Sequence, residues 1–78
     1  MFYVYILRLS DKSVYIGYST DLKQRIKYHN EGLVESTKKL RPLALIYYSA
    51  FLNKEKAVLF EKYLKSSSGF AFRNKRLI

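Results

Sequence analysis

Side chains that hold anions or move protons crowd the first third of this chain. Tyr5 closes the run Tyr3-Val4-Tyr5, and Tyr15 opens Tyr15-Ile16-Gly17 ten residues later. Arg25 and His29 follow, one helical turn apart. A guanidinium fork suits a phosphate or carboxylate oxygen. Imidazole and phenol are groups that accept or pass a proton, the imidazole near neutral pH and the phenol only when a cation lowers its pKa from about 10. Together they form a kit for hydrolysing a charged ester, provided the fold gathers them.

The elements that must do the gathering are legible. Residues 2–9 are aromatic and β-branched, Ser10-Asp11-Lys12-Ser13 is turn chemistry, and residues 14–18 resume as a second strand, which predicts an antiparallel hairpin. Ser19-Thr20-Asp21 reads as a helix start, with Thr20 as N-cap and Asp21 in the first turn. The helix runs to Asn30-Glu31 and stops at Gly32. Residues 33–41 read as a polar, basic loop, and Pro42 precedes a third strand through about Ala50. Asn53 caps a second helix over Lys54–Lys65. Ser66-Ser67-Ser68-Gly69 breaks it, and the short basic tail with Phe70, Phe72, Leu77 and Ile78 packs back as a last helical turn or two. The outline is β-β-α-β-α-α: an α+β fold with a small, three-stranded, mainly antiparallel sheet flanked by helices. At 78 residues the whole chain, 1–78, is expected to be one domain.

Polar residues fall where the helical period calls for apolar ones. Leu22 and Ile26 mark the inward stripe of the first helix; Arg25 lies beside it and His29 falls between them. Either both reach the rim, or His29 is a satisfied core histidine, or they serve a site. In the second helix Ala57, Phe60 and Leu64 define the inner stripe, and Glu61 lies within that arc. A carboxylate there needs a partner, so it pairs with Arg25 or holds a metal ion. Tyr5 and Tyr15 taken singly are ordinary half-buried strand tyrosines, in a chain with eight tyrosines.

The formal charge of +9 favours a polyanionic partner, nucleic acid before an acidic membrane surface. With no cysteine and one histidine, disulfides, thiolate metal sites and the usual histidine zinc site are excluded. No apolar run is long enough for a membrane span, and the start lacks a signal-peptide pattern. A cytoplasmic protein is expected.

Tyr3-Val4-Tyr5, Tyr15-Ile16-Gly17, Arg25, His29 and Glu61 together resemble the GIY-YIG nuclease family. The match covers about residues 3–65 and is closest to the small, stand-alone, URI-like single-domain members. The resemblance implies a metal-dependent endonuclease-type domain acting on DNA, in repair or recombination. Tyr5, Tyr15, Arg25, His29 and Glu61 then match the catalytic positions, with Glu61 as the metal-binding glutamate for Mg²⁺, or Mn²⁺ in its place. Either tyrosine or His29 is the general base. Gly17 lets substrate or neighbouring backbone come near. Lys23, Lys27, Lys38, Lys39 and Arg41 are the expected nucleic-acid-binding contacts. A protein partner or a homodimer would supply selectivity that 78 residues lack. The alternative is a basic nucleic-acid-binding module of the same fold with weak or no turnover. Tyr3 departs from the family's glycine, Tyr18 stands where some members carry lysine, and Asn74 is the one candidate for a later polar residue.

Overall fold

The computed structural model describes residues 1–76, so the expected packing of Leu77 and Ile78 lies outside the described residues. Its element order is β1 (Phe2–Arg8), β2 (Val14–Ser19), α1 (Leu22–Asn30), a 3-10 turn (Lys38–Leu40), β3 (Ala44–Phe51), α2 (Lys54–Lys65) and α3 (Ser67–Arg76). The three strands form an antiparallel sheet in the order β2-β1-β3, so the α+β outline drawn from the sequence is the fold.

Alternation along β1 sends its side chains to two separate cores. Val4 and Ile6 face Ile16 and the inner stripe of α2, where Ala57 and Leu64 are buried and Phe60 packs alongside. Tyr5 and Leu7 face the other way, against Leu22 and Ile26 of α1 and Leu40 and Leu43 of the following loop. The sheet is therefore a middle layer. The register between β1 and β3 slips at Ile6/Leu7, where Tyr47 pairs with Ile6 but Leu45 with Leu7, leaving Ile46 as a bulge.

Helix boundaries follow their caps, with two departures from the sequence reading. The N-cap of α1 is Asp21, not Thr20: its carboxylate accepts from the backbone N–H of Gln24 at 3.1 Å. Ser19 secures it, its hydroxyl accepting from the Asp21 N–H and donating to the Asp21 carbonyl, both at 3.0 Å. Asn53 caps α2 as expected. Past α1, Gly32 takes φ +77, a conformation that favours glycine.

The second departure is the tail. Ser66 alone ends α2, and α3 begins at Ser67 and runs for 10 residues with Gly69 inside it. Glycine is a poor helix former, but here any Cβ would meet the backbone of Tyr63 and Leu64. Close docking of α3 on α2 thus outweighs intrinsic preference. Gly69→Ala is expected to cost about 1–3 kcal/mol, the usual range for overpacking, seen as a lower urea midpoint. An unchanged midpoint would show that α3 does not pack this way.

Candidate active site

β1, β2 and α1 bring Tyr5, Tyr15 and His29 together. Tyr5 pairs with Gly17 across the hairpin and with Tyr48 on the other side, so its ring extends from the middle strand over β2. A Cβ on Gly17 would collide with that ring. The space left by Gly17 is therefore filled by Tyr5, and Gly17 is buried. Of the two expected uses of this bare position, approach by a neighbouring group is the one seen here, the group being the Tyr5 ring.

Tyr5 and His29 are both 0% exposed. The Tyr5 hydroxyl lies 2.9 Å from His29 Nε2, and the Thr37 hydroxyl lies 2.8 Å from Nδ1. Thr37 is likewise fully buried. A hydroxyl–imidazole–hydroxyl chain has two proton arrangements. In one, Thr37 donates to Nδ1 and Nε2–H donates to Tyr5; in the other, Tyr5 donates to Nε2 and Nδ1–H donates to Thr37. The chain is a short proton wire with a neutral imidazole in its middle.

The electrostatics favour the neutral forms of the imidazole and the phenol. Burial, then the nearby Arg25 charge, lower the pKa of His29 from its ordinary value. Burial raises that of Tyr5; Arg25 opposes the rise, and the charges of Tyr15 and Glu61 add to it. Of the two influences on Tyr5, burial outweighs the pull of Arg25.

Arg25, Tyr15 and Glu61 are the solvent-accessible members. Arg25 lies against the Tyr5 phenol first and the Tyr15 phenol second, which hold its charge in place against burial. Its Nε is the one buried side-chain nitrogen or oxygen among the described residues that lacks a hydrogen-bond partner. Tyr15 is half-buried and packs edge-on against His29, with ring centroids 5.1 Å apart. Glu61 comes from the opposite layer, round the outer edge of β2. It pairs with Lys65 at 3.1 Å and its side chain keeps 20% exposure. The Arg25–Glu61 pair considered from the sequence does not occur among the described ion pairs. An i,i+4 lysine takes that place. Lys65 and Tyr15 line one cleft of about 300 Å³ at this edge.

The family model described as the GIY-YIG catalytic domain matches residues 1–76. The chain belongs to the GIY-YIG family. Among its relatives, a UPF0213 protein of Clostridium perfringens is 40% identical over 78 residues, covering 99% of this chain and 80% of that protein. One from Streptococcus pyogenes serotype M5 is 42% identical over 64 residues, covering 81% of this chain and 70% of the relative. The solution NMR structure of the UPF0213 protein from Bacillus halodurans aligns with a TM-score of 0.61 at 35% identity, over 99% of this chain and 87% of that one. These are small proteins, like the single-domain GIY-YIG members that the motif spacing resembles.

Within that family frame, the GIY-YIG tyrosines of this chain stand in unequal positions: Tyr5 is sealed in and Tyr15 is reachable. Among the expected backbone contacts, Lys23, Lys27 and Lys39 are exposed, while Lys38 pairs with Glu35 at 3.0 Å. Arg41 is committed to the backbone, donating through Nε to the Lys38 carbonyl and through NH1 to the Asn30 carbonyl at the end of α1. Thr37 was not singled out in the sequence, because a hydroxyl in an aperiodic loop carries no burial signal. Asn74 is exposed on α3 and lines a cleft with Arg8 and Lys12.

Two measurements check the buried chain. Thr37→Val removes the hydroxyl while keeping the shape, leaving Nδ1 unpaired; it should cost about 1–3 kcal/mol in urea unfolding. Because folded His29 binds its proton less readily than unfolded His29, protonation of the unfolded chain comes first as pH falls. Stability is then intact above about 6.5 and declines below it. The urea midpoint should drop between pH 7 and pH 5.5, and His29→Gln should flatten that drop. A midpoint that rises on acidification would contradict a neutral, buried His29.

Proposed function

We propose that the chain is a single-domain, metal-dependent endonuclease acting on DNA phosphodiesters, cytoplasmic, with repair or recombination as its setting. One observation carries this reading: Arg25, whose buried Nε has no hydrogen-bond partner, lies against the Tyr5 and Tyr15 phenols, with its charge felt at neutral His29 and the Glu61 charge felt at Tyr5.

A phosphate oxygen drawn to the Arg25 fork gives the guanidinium the acceptors that the protein withholds. Charge at that point stabilises the crowded, five-coordinate phosphorus of the transition state. Attack requires water to lose a proton as its oxygen bonds phosphorus and the opposite P–O bond breaks. The Tyr5–His29 pair is the acceptor once the site opens to admit water to Tyr5, which is 0% exposed as it stands. Tyr5 takes the proton at its oxygen while passing its own to Nε2, 2.9 Å away, leaving His29 as imidazolium. Tyr15, reachable from solvent, orients that water. Thr37 holds the imidazole from behind.

Among the described residues no group of three or more His, Cys, Asp or Glu is present. That donor set fits Mg²⁺ or Mn²⁺ held by few protein ligands, since Mg²⁺ keeps its waters and takes substrate phosphate oxygens beside one or two carboxylates. Glu61 would hold it, in competition with Lys65, and the ion would polarise a phosphate oxygen as a Lewis acid.

The full burial of Tyr5 and His29 supports a second reading, a nucleic-acid-binding module with weak or no turnover. A plasmid-nicking assay with Mg²⁺ separates the two. For a nuclease, Glu61→Ala, Arg25→Ala and Tyr15→Phe should each lower the nicking rate by about 10²-fold or more. Absence of metal-dependent nicking in the wild type favours the binding module. Undiminished nicking by Glu61→Ala dismisses the assigned metal ligand. A requirement for a protein partner or a second copy would appear as nicking that rises more steeply than linearly with chain concentration.

A further inference from the structure

We infer that the outer edge of the β1–β2 hairpin, closed by α3, is the groove that holds the nucleic-acid backbone beside the cut. This rests on the nuclease reading above for the position of the cut, and it moves the backbone contacts away from the lysines of α1 and the following loop.

Two clefts meet along this edge and share Val14 and Arg73. The larger, of about 540 Å³, has Arg8, Lys12, Arg73 and Phe70 in its wall; the smaller has Arg73, Lys65 and Tyr15. No acidic side chain lines either one. The cleft against α1 differs: its wall is largely apolar, with Tyr3, Leu22, Ile26 and Leu45, and its one cation, Lys23, is matched by Asp21. A polyanion entering the hairpin groove meets cations along its course and ends at Tyr15, the reachable phenol of the site.

Arg73 is built for this place. Its Nε donates to the Leu64 carbonyl at the end of α2, at 3.2 Å, and its guanidinium carbon stacks 4.6 Å from the Phe70 ring centre. One bond and one ring fix the fork while its remaining N–H groups stay unspent, the geometry that phosphate recognition favours. Phe70 itself is 55% exposed, a large apolar ring beside a cationic fork, suited to a base flanking the held phosphate.

Lys12 supplies a second, independent observation. It sits at φ +72, a conformation that costs a side-chain-bearing residue roughly 1–2 kcal/mol and glycine little. The turn is held by Asp11 bonding Ser13, and the strained position at the hairpin tip carries an exposed cation.

The test is fluorescence anisotropy of a fluorescein-labelled oligonucleotide, single-stranded and duplex, in calcium buffer across 50–300 mM salt. Arg8→Gln/Lys12→Gln removes two exposed charges and should flatten the log K against log salt slope by about 1.4–1.8, at roughly 0.7–0.9 per lost phosphate contact. Arg73→Gln should remove about one contact more. If Arg73→Gln loosens α3 in a urea melt, the hairpin double variant decides alone. Lys54→Gln/Lys56→Gln, a charge-matched change at the start of α2, should leave the slope in place.

An unchanged slope in the hairpin double overturns the groove, as does an equal loss in the α2 control, which would mean a diffuse basic field. Capture on phosphatidylserine vesicles, with oligonucleotide binding unaffected by the double, overturns it in favour of a membrane surface. The readout is binding alone, so the two readings fail separately. A chain that grips DNA through this edge but never nicks defeats the nuclease reading and leaves the groove standing. One that nicks, with the double still binding as wild type, does the reverse.

Discussion

The hydrogen bond between the Tyr5 hydroxyl and His29 Nε2 is the constraint around which this molecule is arranged. It ties the middle strand of the sheet to α1 across a fully buried layer. A buried imidazole with a missing partner would be costly, as would a buried phenol. Each satisfies the other, and Thr37 completes the set from the loop after α1. Gly17 is glycine because this ring must lie across β2 to reach the histidine. Arg41, pinning the loop to the end of α1, keeps Thr37 in place at its far side. Residues scattered over more than thirty positions of sequence thus answer to one contact.

That contact also sets the electrostatic character of the interior. Burial pushes the phenol and the imidazole in opposite directions, and both moves favour the uncharged form. The charges of Arg25 and Glu61 are kept at the periphery, one on each side of the outer strand, where water and counter-groups moderate them. A chain of neutral hydroxyl, imidazole and hydroxyl can exchange its two internal proton arrangements without burying net charge. Had Arg25 paired directly with Glu61, the fork would have been spent; Lys65 instead occupies the carboxylate and leaves the guanidinium uncommitted.

Much of this was legible in the residues. Alternation of β-branched and aromatic side chains gave the strands, and the slippage of Arg25, His29 and Glu61 into apolar stripes marked them as unusual. Asn53 and Gly32 announced helix ends because each has a single mechanical role there. What failed to show has physical causes. Thr20 and Asp21 are adjacent residues of equal capping ability, and only the support from Ser19 selects between them. The Ser-rich stretch before Gly69 has poor helical preference, overridden by docking on α2. Burial of Thr37 depends on the path of a loop that has no period. The direction of the Tyr5 shift required knowing that desolvation exceeds the arginine's pull, a balance that spacing along a chain does not contain.

The strand order β2-β1-β3 has a consequence for how the chain assembles. Of the three described strands the one earliest in sequence is the central one, and its partner on one side is a hairpin turn away. The partner on the other side, Ala44–Phe51, lies some forty residues later, beyond a helix and a loop. Closing that gap is a long-range event with a loop-entropy cost, the kind that slows folding more than it weakens the product. On a ribosome, β1 and β2 therefore wait as a two-stranded ribbon, too small to be stable alone, until the third strand emerges and the nascent sheet locks.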